Sequence, residues 1–253
     1  MIYMSYKILF SNIGYARGID GSLKQHITRS IRHLYCSLPA QEVVIGQLRE
    51  ILKMNKPDIC CFVEIDKGSL LSGSYNQIEA LINQDYSYHA VAGKYGENSF
   101  RQYFPFYKGK SNGFIAKEEL LFEQLNFENG VKKLLYAIKL PGDITLLFAH
   151  FSLRHSIRQK QFIEIKKILQ NYNEKVILLA DFNILKGLGE LDTFLKDDSL
   201  RLLNNPDTPT FMFHKKKLLL DLCLYTPALE GKLDIQIIPQ PFSDHAALLV
   251  KVK

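Results

Sequence analysis

The sequence predicts one α/β domain, spanning residues 1–253, with strands enough for two sheets. Three observations carry that expectation. Apolar runs of strand length alternate with amphipathic runs of helical period along the whole chain. No repeat, low-complexity tract or linker-like stretch divides it. The composition, 47% hydrophobic and 23% charged, belongs to a chain that buries a core rather than one that stays disordered.

Taken in order, Tyr6 to Asn12 (YKILFSN) is expected to be a buried strand running into a loop at Gly14. Ser22 to Tyr35 has a helical and basic pattern, with Lys24, Arg29 and Arg32 on the outside. Gln41 to Met54 is a clearer amphipathic helix, carrying Val44, Leu48, Ile51 and Leu52 along one stripe, and Asn55 and Pro57 end it. Asp58 to Glu64 (DICCFVE) is a short strand buried on both faces and closed by a carboxylate. Tyr75 to Gln84 is expected as a helix and Tyr86 to Ala92 as a strand.

Gly93 to Lys110 has no period. It interleaves Tyr95, Phe100, Tyr103, Phe104, Phe106 and Tyr107 with Lys94, Arg101, Lys108 and Lys110, and a loop of this length is usually functional or disordered. Strands are expected at Ser111 to Lys117, Leu120 to Phe127 and Lys132 to Leu140. The Pro141-Gly142-Asp143 turn joins the last of these to Ile144 to Phe151 as a hairpin. Ser156 to Tyr172 is a helix, Val176 to Asp181 (VILLAD) a second buried strand ending in a carboxylate, and Leu188 to Leu195 helical. Leu218 to Tyr225, Leu233 to Ile238 and Ala246 to Val252 complete the strands.

Charge and cysteine content narrow the function. There are 32 Lys and Arg against 26 Asp and Glu, and the net charge of +6 favours polyanionic partners such as nucleic acid or anionic lipid headgroups. No apolar run approaches the roughly 18 residues of a membrane helix. Met1 to Phe10 lacks the charged, apolar and small-residue series of a secretory signal, so a cytoplasmic location is expected. The four cysteines, Cys36, Cys60, Cys61 and Cys223, have no C-x-x-C spacing and read as reduced, packed thiols.

Several strands end in a polar side chain: Asn12, Glu64, His150, Asp181 with Asn183, and Asp244-His245 before the last strand. Strand ends let a rigid sheet present such groups to a cleft. Glu64 with a nearby carboxylate can hold Mg2+ through hard oxygen ligands, and such a metal polarises a phosphoryl oxygen. Histidines beside carboxylates can bind phosphate and manage protons. Zinc is disfavoured, since neither H-x-x-x-H nor a cysteine pair is present. Each residue also has a plainer explanation. A lone strand-end carboxylate is most often a solvated cap, Asn12 could be a turn former, and His26, His33, His89, His155 and His214 are given no role.

Eight pieces in series resemble the endonuclease/exonuclease/phosphatase superfamily: LFSNIGY (Leu9 to Tyr15), KPDICCFVEI (Lys56 to Ile65), SNGFIAK (Ser111 to Lys117), LLFAHFS (Leu146 to Ser152), SIRQKQ (Ser156 to Gln161), VILLADFN (Val176 to Asn183), LLLDLCLY (Leu218 to Tyr225) and PFSDHAALLV (Pro241 to Val250). The D-F-N and S-D-H tripeptides are individually unspecific; their order along nearly the whole chain is specific. The resemblance implies a four-layer α/β/β/α sandwich, two packed mixed β-sheets flanked by helices, and Mg2+-dependent phosphoester hydrolysis, with Mn2+ as a substitute. By position, Glu64, Asn12 and Asp244 correspond to the metal side. Asp181 corresponds to the residue that positions or deprotonates the attacking water, with Asn183 orienting it. His245, oriented by Asp221, would contact the scissile phosphate, and His150 lies near the leaving group.

Asn112 is expected either to contact phosphate or to form a structural turn. Arg158 is expected to tie its helix to the hairpin or to reach substrate. Departures are Ala180 where glycine is usual, Gly14 where some members carry an acidic second metal ligand, and Leu220 before Asp221, with Lys215 to Lys217 as a substitute for the basic residue common upstream. Gly14 makes a one-metal site the expectation. The resulting reading is a monomeric Mg2+-dependent phosphodiesterase acting on DNA or RNA. The alternatives are a phospholipid or phosphoinositide hydrolase, whose aromatic loop makes peripheral membrane contact, and an inactive binding module of the same fold.

Overall fold

The computed structural model describes residues 5–96, 99–172 and 174–253. Residues 97 and 98 of the expected long loop, and Met1 to Met4 of the opening segment, lie outside these. Among the described residues the strands are β1 (Tyr6–Asn12), β2 (Ile59–Asp66), β3 (Tyr88–Gly93), β4 (Lys110–Ala116), β5 (Phe122–Asn126), β6 (Leu134–Leu140), β7 (Ile144–His150), β8 (Val176–Asp181), β9 (Arg201–Leu202), β10 (Phe211–Phe213), β11 (Lys216–Leu218), β12 (Asp221–Tyr225), β13 (Leu233–Ile238) and β14 (Ala247–Val252). The α-helices are α1 (Leu23–Thr28), α2 (Leu38–Asn55), α3 (Gln77–Leu81), α4 (His155–Leu169) and α5 (Asp192–Leu195).

Two six-stranded sheets form, in the orders β13-β14-β1-β2-β4-β3 and β5-β6-β7-β8-β12-β9, with β10-β11 as a separate hairpin. Each sheet contains one parallel pair, β1 with β2 and β7 with β8, joined across α2 and α4 respectively. Parallel neighbours require such crossovers. The remaining pairs are antiparallel, so both sheets are mixed.

Side-chain alternation stacks these sheets face to face. Ile8, Phe10, Cys61 and Val63 of the first sheet meet Tyr136, Phe148, Ile177 and Leu179 of the second in one buried cluster. The opposite faces are covered by helices: Leu9, Cys60 and Phe62 pack under Val44, Leu48 and Ile51 of α2, while Leu147, Leu178 and Leu222 pack under Phe162 and Ile165 of α4. The result is the four-layer α/β/β/α sandwich. Cys60 and Cys61 enter different clusters, and all four cysteines are free and buried. Among the described residues no helix is long and apolar enough to cross a membrane.

Several expectations need correction. The strand through DICCFVE does not stop at Glu64. It continues to Asp66 through a shift of register between Phe62 and Ile65, where Glu64 takes a left-handed φ of 54°. Leu218 to Tyr225 is not one strand, because Thr210 Oγ1 accepts the backbone N–H groups of Leu220 and Asp221 and breaks the run between β11 and β12. The helix expected over Tyr75 to Gln84 is only α3, capped by the Asn76 side chain and ended at Ile82. Ser22 to Tyr35 splits at Arg29 into α1 and a 3-10 turn, Ser30–His33. Leu188 to Leu195 likewise opens as a 3-10 turn before α5.

Candidate active site

The C-terminal ends of both parallel pairs emerge at the same edge of the sandwich, the position where open α/β sheets form their crevices. In the second sheet, backbone pairing places His150 opposite Asp181, and Asp181 opposite Asp221, in one row across β7, β8 and β12. From the first sheet, Asn12 ends β1, and the segment before β14 brings in His245.

These side chains touch. Asn12 Nδ2 donates to Asp181 Oδ2 at 3.0 Å and lies 3.4 Å from His245 Nε2. Asp181 Oδ2 is 3.1 Å from His150 Nε2 and 3.9 Å from His245 Nε2. His245 Nδ1 and Asp221 Oδ2 are 2.7 Å apart, which fixes the ring and leaves Nε2 facing Asp181. Phe211 leans on the imidazole, ring centroids 4.8 Å apart. Ser243 ties the segment down, donating to the Asn12 carbonyl and accepting from the His245 N–H. Gln240 bridges the Ser11 hydroxyl and the His245 carbonyl.

Electrostatics divide the groups. Burial opposes a charge on His245, but Asp221, Asp181 and Asp244 outweigh it and push the ring up to about 10. Burial also raises the Asp221 carboxyl to about 6 against the pull of His245. With Asp181 and Asp244 also acting on the ring, the shared proton belongs on His245, which is therefore an imidazolium at neutral pH. Asp181 is buried, yet His150, His245 and Lys132 hold it well below the usual carboxylate range. His150 behaves in the opposite way: burial, then Lys132, bring it down to about 4 against Asp181, leaving a neutral ring. Its Nε2 also contacts the Lys132 ammonium.

Asn183 follows Asp181 in the D-F-N turn with φ of 52°, a conformation asparagine tolerates better than most residues. Its N–H caps Asp181 Oδ1 at 3.1 Å, and its side-chain amide holds the Phe151 carbonyl at 3.0 Å.

Glu64 stands at the other side of the cleft. The irregularity in β2 turns its carboxylate out of the strand, a common use of bulges next to active sites. Asn112 supports that turn: its side-chain oxygen accepts the Glu64 N–H at 3.3 Å, and it is 1% exposed. The Glu64 carboxylate is 3.7 Å from Lys94 Nζ and 3.9 Å from His150 Nδ1. Burial would raise it, but Lys94, His150, Lys132 and Arg17 bring it down to about 2. Lys94 is lowered to about 7, mainly by burial, with Glu64 opposing and Lys132, Lys110 and Arg17 adding to the fall.

Two donor sets are candidates for holding a metal. Asp181, Asp221 and His245 form a compact group, their donor atoms within 4.8 Å of one another, but it is internally paired around the His245 proton. Glu64 fits a hard divalent cation better. It is anionic, 22% exposed, and accepts no hydrogen bond among the described residues. His150 Nδ1, the nearest ring atom, is buried without a hydrogen-bond partner among the described residues. There, too, Asn12 Oδ1 accepts only the Gly14 N–H, and Asp244, its carboxyl raised by burial, acts electrostatically on both Glu64 and Asp181.

Arg158 is 1% exposed and gives its donors to the Ser152 and Leu153 carbonyls and to Glu190, so its contacts are those of the helix tie rather than of a substrate ligand. Gln161 does the same for the loop before β6, holding the Asn129 and Lys132 carbonyls. Lys94 and Lys132 are not among the site residues the sequence points to: Lys94 falls in a segment without period, and Lys132, expected to open a strand, lies in the connection before β6. Of the aromatics between Gly93 and Lys110, Tyr95 is buried; Phe100, Tyr103, Phe104, Phe106 and Tyr107 are exposed.

Comparison with known proteins agrees with this arrangement. The model of the "Endonuclease/Exonuclease/phosphatase family" matches residues 42–245. No curated protein matches. Among solved structures, the endonuclease domain of TRAS1, a telomere-specific non-LTR retrotransposon, superposes with a TM-score of 0.63 at 14% identity, covering 99% of each chain. Sphingomyelinase C from Streptomyces griseocarneus gives 0.65 at 14%, over 99% of this chain and 100% of that one. A humanized D. rerio TDP2 gives 0.62 at 14%, over 98% and 99%. With the fold, the clustered acids and histidines and the family match in agreement, the chain belongs to the endonuclease/exonuclease/phosphatase family, whose members are phosphoester hydrolases.

Proposed function

We propose that the protein is a Mg2+-dependent phosphodiesterase that cleaves nucleic acid by in-line attack of water on phosphorus. Enzymes of this family generally depend on a divalent metal. The observation that carries the reading is one Asp181 oxygen held between the Asn12 amide, the His150 ring and the His245 imidazolium. That oxygen is anionic and directed, and can orient a water for attack. His245 presents a fixed cation to a phosphoryl oxygen, where it stabilises the charge that grows in the transition state. Asp221 is its positioning residue, and Asn183 holds Asp181 in place. Neutral His150 and the Lys132 ammonium would supply a leaving oxygen with a proton or a positive charge. Glu64, with Asn12 and Asp244, would hold the metal, and Mn2+ would serve in place of Mg2+. When bound, the metal would polarise the phosphoryl group. Asn112 supports this by holding the Glu64 backbone. Arg158, with its donors on Ser152, Leu153 and Glu190, would tie α4 in place rather than reach substrate.

Exposed aromatic faces interleaved with Arg101 and Lys108 suit stacking on nucleobases with phosphate contacts, which favours nucleic acid. A second reading has its own observation. Leu23, Ile27, Ile31 and Leu34 are exposed along α1 and the turn after it, and with the aromatic loop they would suit insertion at a lipid interface. That reading is a phospholipid or phosphoinositide hydrolase, and liposome flotation separates it from the first. The retained set of Glu64, Asp181, Asn183, Asp244 and His245 speaks against an inactive module.

The test is cleavage by purified protein of plasmid, single-stranded DNA, RNA, sphingomyelin and phosphoinositides, each with Mg2+ or chelator. Metal-dependent cleavage of nucleic acid is expected. It should be lost in Asp181→Ala and His245→Ala while circular dichroism stays unchanged. Cleavage of lipid alone, or retained turnover in both variants, refutes the proposal.

A further inference from the structure

We infer that the Glu64 side of the cleft contains a second-phosphate subsite, built by Arg17, Lys94 and Lys110 around the ring of Tyr15. The preferred substrate then carries a phosphate next to the one that is cleaved. This rests on the phosphoester reading above and names the substrate class more closely.

Three basic side chains converge on one aromatic ring, Lys94 among them only partly charged at neutral pH. Arg17 Cζ lies 5.0 Å from the Tyr15 ring centroid, and Lys94 Nζ and Lys110 Nζ each lie 4.9 Å from it. The backbone bends to put the ring there. Gly14, Tyr15 and Ala16 take φ of 54°, 57° and 52°, a left-handed turn that is unfavourable for residues bearing a Cβ. Tyr15 is buried, and its hydroxyl contacts Lys94 Nζ.

Glu64 and Asp66 are the anions nearby, and among the described residues neither is bonded to Arg17 or Lys110. Among the described residues Glu64 lies within ion-pair distance of Lys94 and of the neutral His150 ring, and neither Arg17 nor Lys110 forms an ion pair. Asp66 is already committed, since its carboxylate accepts the Gly68 and Ser69 N–H groups and the Ser69 hydroxyl. The polar neighbour of the Arg17 guanidinium is His33 Nδ1 at 3.5 Å, which is no counter-ion. Like charges gathered at a partly buried place repel unless an anion joins them. A phosphate group, with several acceptor oxygens for guanidinium and ammonium donors, matches that need.

The subsite adjoins the reacting groups. Lys94 meets Glu64 at 3.7 Å, Glu64 meets His150 at 3.9 Å, and His150 meets Asp181 at 3.1 Å. A second phosphate here is therefore a near neighbour of the scissile one. Two sources supply that chemistry: the adjacent phosphate of a polynucleotide, and a phosphate on the headgroup ring of a phosphoinositide. A phosphocholine lipid has only the phosphate that is cleaved.

The test compares pairs of substrates differing by one phosphate. In the first arm, 5′-phosphorylated dithymidylate is set against dithymidylate. In the second, phosphatidylinositol monophosphate is set against phosphatidylinositol. The wild-type protein is expected to show a kcat/KM ratio of at least about tenfold for the richer substrate in one arm, which identifies the source. In an Arg17→Gln/Lys110→Gln double variant of unchanged circular dichroism, the ratio is expected to fall close to one, and Lys110→Arg is expected to keep it. Calorimetric titration of inorganic pyrophosphate in the presence of chelator should show at least about tenfold weaker binding to the double variant. A wild-type ratio near one in both arms, or a ratio and pyrophosphate affinity unchanged in the double variant, overturns the subsite. If no ester at all is cleaved, the phosphodiesterase reading fails, and the pyrophosphate titration still decides the subsite.

Discussion

Asp221→Asn is the most informative single change, because it alters one charge and almost no volume. Asp221 is fully buried, with Oδ2 2.7 Å from His245 Nδ1. The rise of His245 from 6.5 to about 10 corresponds to about 5 kcal/mol in favour of the protonated ring. Asp221 contributes to that rise through both its charge and its hydrogen bond, ahead of Asp181 and Asp244 in charge. Removing it leaves burial opposed by the other two acids, so a substantial part of that stabilisation should be lost and His245 should titrate well below about 10. The sign follows from linkage. Stabilisation by the His245 proton is fully present below 6.5 and disappears as the pH rises through about 10. In the variant it disappears at a lower pH. Unfolding experiments would mix this with relief of the buried Asp221 charge, so the ring itself is the proper readout. The assay is an NMR pH titration of the His245 ring in the metal-free protein, paired with single-turnover cleavage. The rate should fall by about 10²–10⁴-fold. A His245 that titrates where the wild type does, or cleavage at the wild-type rate, would refute the assignment of Asp221 as the residue that charges and orients this ring.

Four further outcomes are expected. Glu64→Gln should weaken divalent-metal binding by at least about tenfold in calorimetric titration with Mn2+; unchanged affinity would move the metal away from Glu64. In the wild type, the favourable interactions of the Glu64 carboxylate are fully present above pH 4.5 and lost as the pH falls through about 2, so this site should stay charged under mildly acid conditions. Gly113→Ala should destabilise the fold by about 1–3 kcal/mol in urea unfolding, because its new Cβ would lie 2.6 Å from the Ala90 carbonyl oxygen where β3 crosses β4; wild-type stability would mean that this crossing yields freely. Phe148→Ala, which removes a fully buried ring stacked 4.8 Å from Tyr136 between the sheets, should cost about 3–5 kcal/mol by the same measurement, and a cost near zero would contradict a tightly filled inter-sheet layer.

Tyr6–Asn12, Val176–Asp181 and Leu233–Ile238 were legible to the residue, since each is an apolar or alternating run bounded by polar residues or a proline. Asn12, Asp181, Asp221 and His245, whose contacts form the centre of the site, were legible from motif order. What escaped was decided by contacts between distant residues. LLLDLCLY contains no breaker, and its division into two strands depends on the Thr210 hydroxyl. Arg29 interrupts a good helical pattern while its guanidinium bonds the Gly18 carbonyl and Gln25. Lys94 and Lys132 look like any solvated loop lysine until two chain segments bring them beside Glu64 and His150. Glu64 itself was legible as a candidate ligand, but the left-handed kink that aims it was not.

The row of His150, Asp181 and Asp221 is set by hydrogen-bonded backbone, with each member opposite the next on neighbouring strands. A pleated strand sends successive side chains to opposite faces, so a slip of β8 by a single residue would turn Asp181 away from both partners. The same slip would carry Leu178 and Leu179 out of the separate cores they fill on either side of the sheet. Half-correct pairing therefore leaves no half-active site. Activity regained after denaturation would count only those molecules whose central strands had found their partners to the residue, which makes this site an internal gauge of folding fidelity as much as a place for chemistry.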